Sequence, residues 1–332
     1  MSSASLTRKK VLVTGAAGFI GSHLTERLVS LGAQTTAFVR YNSRNSWGFI
    51  DSFSDSVKKE IEIISGDVRD PDAVRKACKG KDLIFHLAAL IGIPYSYVNP
   101  RDVVATNVGG TLNFLTAAAE SSVKRIIVTS TSEIFGTAQY VPIDENHPLQ
   151  PQSPYAATKI AADKLAESFY ATYNLPVVIL RPFNTYGPRQ SMRAVIPTII
   201  NQLLSDDEVK LGNLEPTRDL TYVGDTVEGF IRAAITRDID GQSINLGVGS
   251  EVSIGNLAET ISHLMGKRLS LRQEKTRQRS NSSEVQRLLS DNAKARRLLK
   301  WTPQVSLEEG LQKTITWMET NLNIYKVKSY VI

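Results

Sequence analysis

This 332-residue sequence predicts an α/β fold, a doubly wound parallel sheet followed by a smaller C-terminal lobe. Short apolar runs alternate with amphipathic stretches through the first half of the chain. The runs are continuous and β-branched, as strands buried on both faces must be. A glycine-rich segment, 15–21, stands between the first run and the first amphipathic stretch.

The strands fall at residues 10–13, 34–39, 61–65, 83–86, 125–129 and 177–180, and helical patterns at 20–30, 72–79 and 111–121 lie among them. Such alternation requires right-handed crossovers, which make the strands parallel and put helices on both faces. After Arg181 the rhythm breaks at Pro182, Gly187, Pro188 and Pro197. Residues 243–246 read as a late strand returning to the sheet, 277–283 as a polar surface loop, and 292–300 and 307–319 as helices. Residues 323–332 carry no clear signal. The expected division is a dinucleotide-binding domain of residues 1–182 with about 221–246, and a substrate-binding lobe of 183–220 and 247–332.

Composition narrows the class. No apolar run is long enough to span a bilayer. Residues 1–10 are short and polar and lead straight into a strand, unlike a secretory signal. The lone cysteine, Cys78, excludes an internal disulfide framework and points to a reducing compartment, the cytoplasm. Four scattered histidines make a structural zinc site improbable. The net charge of +6 is concentrated in Lys and Arg between 267 and 300. No aromatic residues interleave these charges as a nucleic-acid surface requires, so most read as a solvated helix face. One or two of the arginines could serve a diphosphate.

Gly15, Gly18, Phe19, Ile20 and Gly21 follow the first strand and open the first helix, the arrangement of a Rossmann-type dinucleotide site. The glycines permit a tight turn and close approach to a pyrophosphate, and the helix start supplies free N–H groups. Asp67 and Val68 follow the third strand. There a carboxylate can reach an adenine amino group, or can simply cap its own turn. Leu87, Ala88 and Ala89 follow the fourth strand and leave room for a cofactor. At the end of the second strand Val39 stands where an NAD site places its acid, and Arg40 follows. That favours NADP over NAD, although an Arg at a strand end is also an ordinary solvated residue.

Tyr155 and Lys159 are four residues apart and share a face if helical. An ammonium nearby lowers a phenol's pKa and suits Tyr155 to act as a base. Just upstream, Thr131, Ser132 and Glu133 add two hydroxyls and a carboxylate. Oxidation of an alcohol uses the hydroxyl, the Tyr and the Lys; the Glu has no part in it and implies a further proton transfer.

These motifs resemble the extended short-chain dehydrogenase/reductases that modify nucleotide sugars. The resemblance is carried by residues 14–23, 86–89, Tyr155 with Lys159, 181–189, 217–219 and 222–223. Thr131-Ser132-Glu133 is similar to the motif of sugar 4,6-dehydratases, in the Ser form seen in GDP-mannose 4,6-dehydratases. Residues 41–48 and 148–154 look closer to N-acetylglucosamine-nucleotide 4,6-dehydratases of bacterial nonulosonic acid pathways.

The resemblance implies a tightly held NAD or NADP and a nucleotide-diphosphate sugar substrate. Tyr155, helped by Thr131, would take the proton of the 4-hydroxyl as carbon 4 is oxidised. Glu133 would then take the carbon-5 proton made acidic by the ketone, and the 6-hydroxyl would leave as water. The acid for that departure is either Glu133 or a water held by Ser132. Asn184, Arg189, Arg218 and Arg279 would surround the diphosphate. Ser280 departs from the Pro usual after the last of these arginines. The helices at 111–121 and 153–172 would pair in a homodimer. A decarboxylase, a 4- or 5-epimerase, a 5,6-ene-forming dehydratase and a non-catalytic cofactor sensor are the rival readings. The decarboxylases tend to carry Arg directly after the Lys, where this chain has Ile160. The epimerases of carbon 4 usually lack the Glu, and sensors typically lose the Tyr or the Lys.

Overall fold

The computed structural model describes residues 6–206, 208–277, 280 and 283–325. Its first half runs β1 (Lys10–Thr14), α1 (Phe19–Ser30), β2 (Gln34–Arg40), α2 (Asp55–Lys59), β3 (Ile61–Gly66), α3 (Pro71–Cys78), β4 (Leu83–His86), α4 (Ile93–Val98), α5 (Pro100–Val104), α6 (Gly110–Glu120), β5 (Arg125–Thr129), α7 (Pro154–Tyr173) and β6 (Val177–Pro182). The remainder runs β7 (Asn184–Tyr186), α8 (Val195–Ser205), β8 (Glu208–Leu211), β9 (Thr217–Arg218), β10 (Leu220–Tyr222), α9 (Val223–Ile235), β11 (Ser243–Leu246), β12 (Val252–Ser253), α10 (Ile254–Leu264), β13 (Ser270–Gln273), β14 (Arg287–Leu288), α11 (Ala293–Leu299) and α12 (Leu307–Thr320).

The central sheet has the order β11-β6-β5-β4-β1-β2-β3, and every pairing in it is parallel. Its strands alternate their side chains between two cores, as the period of two dictates. Val11, Val13, Phe85 and Ile127 face α1 and α9 through Leu24, Leu28 and Phe230. Leu12, Ile84, Ile126 and Val128 face α3, α6 and α7 through Val74, Phe114 and Ala166. Burial on both faces is why the strands read as unbroken apolar runs. The sheet reverses its order between β1 and β4, and the crevice beyond the strand ends at such a reversal is where a ligand fits.

A second body is built on α8, α10 and α12, whose Ile196, Ile199, Leu257, Ile261, Leu311 and Ile315 share one core. Small sheets join it to the crevice. β7 pairs with β10, β9 lies between β12 and β14, and β8 pairs with β13. The irregular stretch expected after Arg181 therefore holds short strands, too brief and too mixed in burial to show a period. Between the two bodies lies a smaller core of Ile134, Phe135, Ile143, Phe183, Val285 and Leu288. A single π-turn, Ala105–Gly109, interrupts the run from α5 into α6. Among the described residues no helix is long and apolar enough to cross a membrane.

Candidate active site

The glycine turn is shaped by backbone constraints. Gly15 has φ +68°, and a Cβ there would lie 2.9 Å from the Ala88 nitrogen. A Cβ on Gly21 would lie 2.1 Å from the Gly15 carbonyl oxygen. Gly18 donates to that same carbonyl (3.0 Å) and caps α1 through its backbone, with no side chain on the amides of the first turn. The amides of Phe19, Ile20 and Gly21 are thus presented to an anion with the positive end of the helix dipole behind them, which fits a pyrophosphate. Residues 41–48 lead onto this turn. Phe49 N donates to the Ala17 carbonyl (3.1 Å), and Gly48, at φ +62°, packs on the same group.

Arg40 ends β2 exposed, beside Asp67, whose carboxyl its charge helps to lower. Asp67 Oδ1 accepts from the Arg69 backbone N–H and Nε, both at 2.9 Å, and Oδ2 pairs with its guanidinium. The carboxylate is therefore committed to its own turn, the capping role that the sequence also allowed. Arg69 holds it well below the usual carboxylate range. Val68 is buried against Gly110, and its carbonyl accepts from Asn113 Nδ2 (2.9 Å).

Leu87 and Ala88 donate their amides to Thr14 Oγ1 at 3.1 and 3.0 Å, which ties the end of β4 to β1; Ala89 continues the segment, half-buried. Thr14 Oγ1 meets His86 Nδ1 (3.0 Å), and His86 Nε2 meets Thr111 Oγ1 (3.1 Å). The Thr111 hydroxyl proton goes to the Asn107 carbonyl (2.6 Å), so Nε2 must carry the imidazole proton and Nδ1 must accept from Thr14. Burial lowers the pKa of this histidine to about 3, with the nearby Lys159 charge adding to the effect. It is a neutral strut.

Tyr155 and Lys159 lie on α7, which starts at Ser153; the Ser153 hydroxyl accepts from Ala156 N (3.1 Å), and Pro154 occupies the first turn. Both side chains are buried. Thr131 caps the short 3-10 turn Ser132–Phe135 by accepting from Glu133 N (3.3 Å), and its hydroxyl acts on the Tyr155 phenol. Ser132 is buried and Glu133 half-buried, with the Glu133 charge acting on the phenol. Thr131, Glu133 and Tyr155 thus form one cluster.

One expectation needs correction. Burial raises the pKa of Tyr155, the Thr131 hydroxyl opposes the rise, and Glu133 and Asp163 add to it. The ammonium expected to lower it instead points elsewhere, because Lys159 Nζ donates to the Thr129 carbonyl.

Several residues that hold this cluster are not marked by spacing along the chain. Asn107, buried within the π-turn, binds both backbone groups of Leu90 (2.8 and 3.0 Å) and donates to Thr158 Oγ1 (3.0 Å). Thr158 in turn donates to the Tyr155 carbonyl (2.7 Å). Asp163 binds Ser130 and Arg181 beneath the site. Only Asp163 left a usable signal, its position one turn beyond Lys159.

The residues expected around a diphosphate part company. Asn184 is on β7, and its Oδ1 is buried without a partner, an acceptor facing no protein donor. Arg218, on β9, donates to the Thr217 carbonyl (2.9 Å) and reaches Glu284 (3.4 Å). Arg189 keeps Nη1 buried without a hydrogen-bond partner while its Nη2 is engaged. Its left-handed backbone, φ +68°, turns it onto Glu26 of α1 (2.9 Å) and over the Phe53 ring (5.1 Å). Arg279 lies outside the described residues. No group of His, Cys, Asp and Glu that could hold a metal ion occurs among the described residues.

A seven-stranded Rossmann-type sheet, a glycine turn opening α1, and a Tyr155–Lys159 pair beside Thr131 define an extended short-chain dehydrogenase/reductase of the nucleotide-sugar-modifying kind. The chain belongs to the GDP-mannose 4,6 dehydratase family, whose model matches residues 12–314. Its relatives differ in activity. It is 33% identical to a UDP-glucose 4-epimerase of Mycolicibacterium smegmatis over 92% of this chain and 97% of that one. It is also 33% identical to a UDP-N-acetyl-alpha-D-glucosaminuronate decarboxylase of Bacillus cytotoxicus, over 93% and 98%. Among solved structures, a dTDP-glucose 4,6-dehydratase of Streptomyces venezuelae with NAD bound superposes with a TM-score of 0.85 at 29% identity, covering 95% of this chain and 98% of that one.

Proposed function

We propose that this protein is a nucleotide-sugar 4,6-dehydratase, a hydro-lyase that converts an NDP-N-acetylglucosamine, with UDP or GDP as carrier, to the NDP-4-keto-6-deoxy sugar. The observation that carries this reading is the place of Glu133. It sits on the turn that Thr131 caps, near enough to Tyr155 for its charge to act on the phenol. Oxidation at carbon 4 has no use for a second base there; abstraction of the carbon-5 proton does.

NAD(P) fits the cradle at Gly15, Gly18 and Gly21, with Lys159 and the 87–89 segment along its path. When bound, it supplies the oxidising and reducing equivalents for carbons 4 and 6. The exposed Arg40 leans the choice toward NADP. Tyr155 takes the proton of the 4-hydroxyl and Thr131 orients the phenol. Glu133 takes the proton on carbon 5, and the 6-hydroxyl departs as water, protonated by Glu133 or by a water on Ser132. Carbon 5 takes a proton back as carbon 6 is reduced, the proton removed from the 4-hydroxyl balancing the count. Asn184 and Arg218 line the diphosphate side. The protein acts as a homodimer through α6 and α7, in the cytoplasm, where the single buried thiol of Cys78 stays reduced.

Glu133→Gln tests the reading. With UDP- and GDP-linked N-acetylglucosamine, it is expected to reduce its bound cofactor yet form dehydrated product at least a hundredfold more slowly than wild type, from the 10²–10⁴-fold worth of a general base. Product mass is the readout. Loss of water marks the dehydratase, loss of carbon dioxide a decarboxylase, and unchanged mass an epimerase. Wild-type rates of water loss in Glu133→Gln would remove Glu133 from the mechanism.

A further inference from the structure

The buried charges under Tyr155 and Lys159 are more than packing requires. Asp163 is fully enclosed, one helical turn beyond Lys159 on the same face of α7. Its Oδ2 accepts from Ser130 Oγ (2.8 Å) and Arg181 Nε (3.2 Å), while Oδ1 has no hydrogen-bond partner. An ion pair built only to hold an arginine engages both carboxylate oxygens in a fork; here one oxygen is left over. Lys159 is as enclosed as its neighbours and spends a proton on the Thr129 carbonyl, one residue before the Ser130 that grips Asp163. The Thr129 hydroxyl oxygen is likewise buried without a partner.

Two cations, Lys159 and Arg181, therefore share an enclosed volume with one carboxylate. Burial alone disfavours the charged form of Lys159, and Asp163 is the group that opposes this. Arg181, Lys159 and Ser130 in turn oppose the effect of burial on Asp163. The other groups around the pair are Tyr155 on α7, the neutral His86 on β4, Glu133 on the 3-10 turn, and Glu145, whose carbonyl accepts from Arg181 (3.4 Å). Glu145 faces Lys294 beyond it.

We propose that Asp163 is a positioning residue of the reaction: its carboxylate, locked by Ser130 and Arg181, is the counter-charge that keeps the Lys159 ammonium charged and seated on the Thr129 carbonyl beneath the site. This rests on the oxidation step of the proposed function and is independent of the elimination assigned to Glu133.

The test is the pH profile of cofactor reduction by the holoenzyme in a single turnover with the nucleotide sugar. Reduction by the wild type tests the reading of the site; the difference between wild type and Asp163→Asn tests this proposal. Removing the negative charge lets both Tyr155 and Lys159 release their protons more readily. Both limbs of the profile should therefore move to lower pH, by about one unit, with at least a tenfold lower plateau. Asp163→Glu keeps the charge and should keep the limbs in place. Should Asp163→Asn fold poorly because Arg181 is left unpaired, the double variant Asp163→Asn/Arg181→Met is compared with Arg181→Met alone, and the downward displacement is expected between those two, which differ only in the Asp163 charge. Limbs that stay at the pH of the matching reference in the variant that folds, whatever its plateau, would make Asp163 a structural residue and overturn the proposal.

Discussion

His86 is held neutral by its neighbours. The Thr14 hydroxyl donates to Nδ1 while accepting two amides, and Thr111 accepts from Nε2 while donating onward. A second ring proton would point at an oxygen with no capacity left to accept it. His23, whose Nε2 lies 2.9 Å from the Pro188 carbonyl, is likewise lowered by burial, to about 4. Both imidazoles take up a proton near pH 6.5 when unfolded and stay neutral when folded. The unfolded state thus binds more protons below pH 6.5, and stability falls with acidification down through pH 4 and 3. Urea unfolding should show a midpoint dropping between pH 7 and 5, and a shallower drop in His86→Gln. Comparing the two isolates His86 from Asp219, which burial pushes up to about 6 and which acts in the opposite sense. The sequence marks His86 only as part of a motif; its role is visible only when β1, β4 and α6 are brought together.

Helices and turns place the site more firmly than the strand ends alone. α7 carries Tyr155, Thr158, Lys159 and Asp163 on one face, a pattern that 3.6-residue periodicity makes readable. The π-turn at Ala105–Gly109 is not readable in this way, since it depends on Asn107 reaching across to Leu90 and Thr158. Such turns are frequent at functional sites. The same limit applies to Trp301, which is fully buried after α11 and donates from Nε1 to the Asp225 carbonyl of α9 (2.8 Å). Nothing in its neighbouring residues predicts that partner. Trp301→Ala removes a large buried side chain and leaves a cavity, so it is expected to destabilise the protein by about 3–5 kcal/mol in chemical denaturation.

At the scale of the molecule, β11 crosses back to pair with β6 after a long excursion through the second body, so the chain returns to complete the first body's sheet. The outer face of the α4–α6 run carries exposed Val98, Val104 and Leu112, apolar surface beside the helix proposed to pair with a second copy. Leu112→Glu is expected to shift light-scattering mass from dimer to monomer while leaving the fold intact by circular dichroism; a mass unchanged from wild type would place the contact elsewhere. The parallel sheet, the glycine turn and the Tyr155–Lys159 pair were all determined by the sequence, because each depends on residues close along the chain and on a local period. The tertiary structure alone decided that Arg189 pairs with Glu26 of α1, that Asp163 grips Ser130 and Arg181, and that Asn107 braces the turn before Tyr155. Each of those outcomes is a competition among distant charges and donors for partners in an enclosed space, and only the folded geometry sets which partner is near enough.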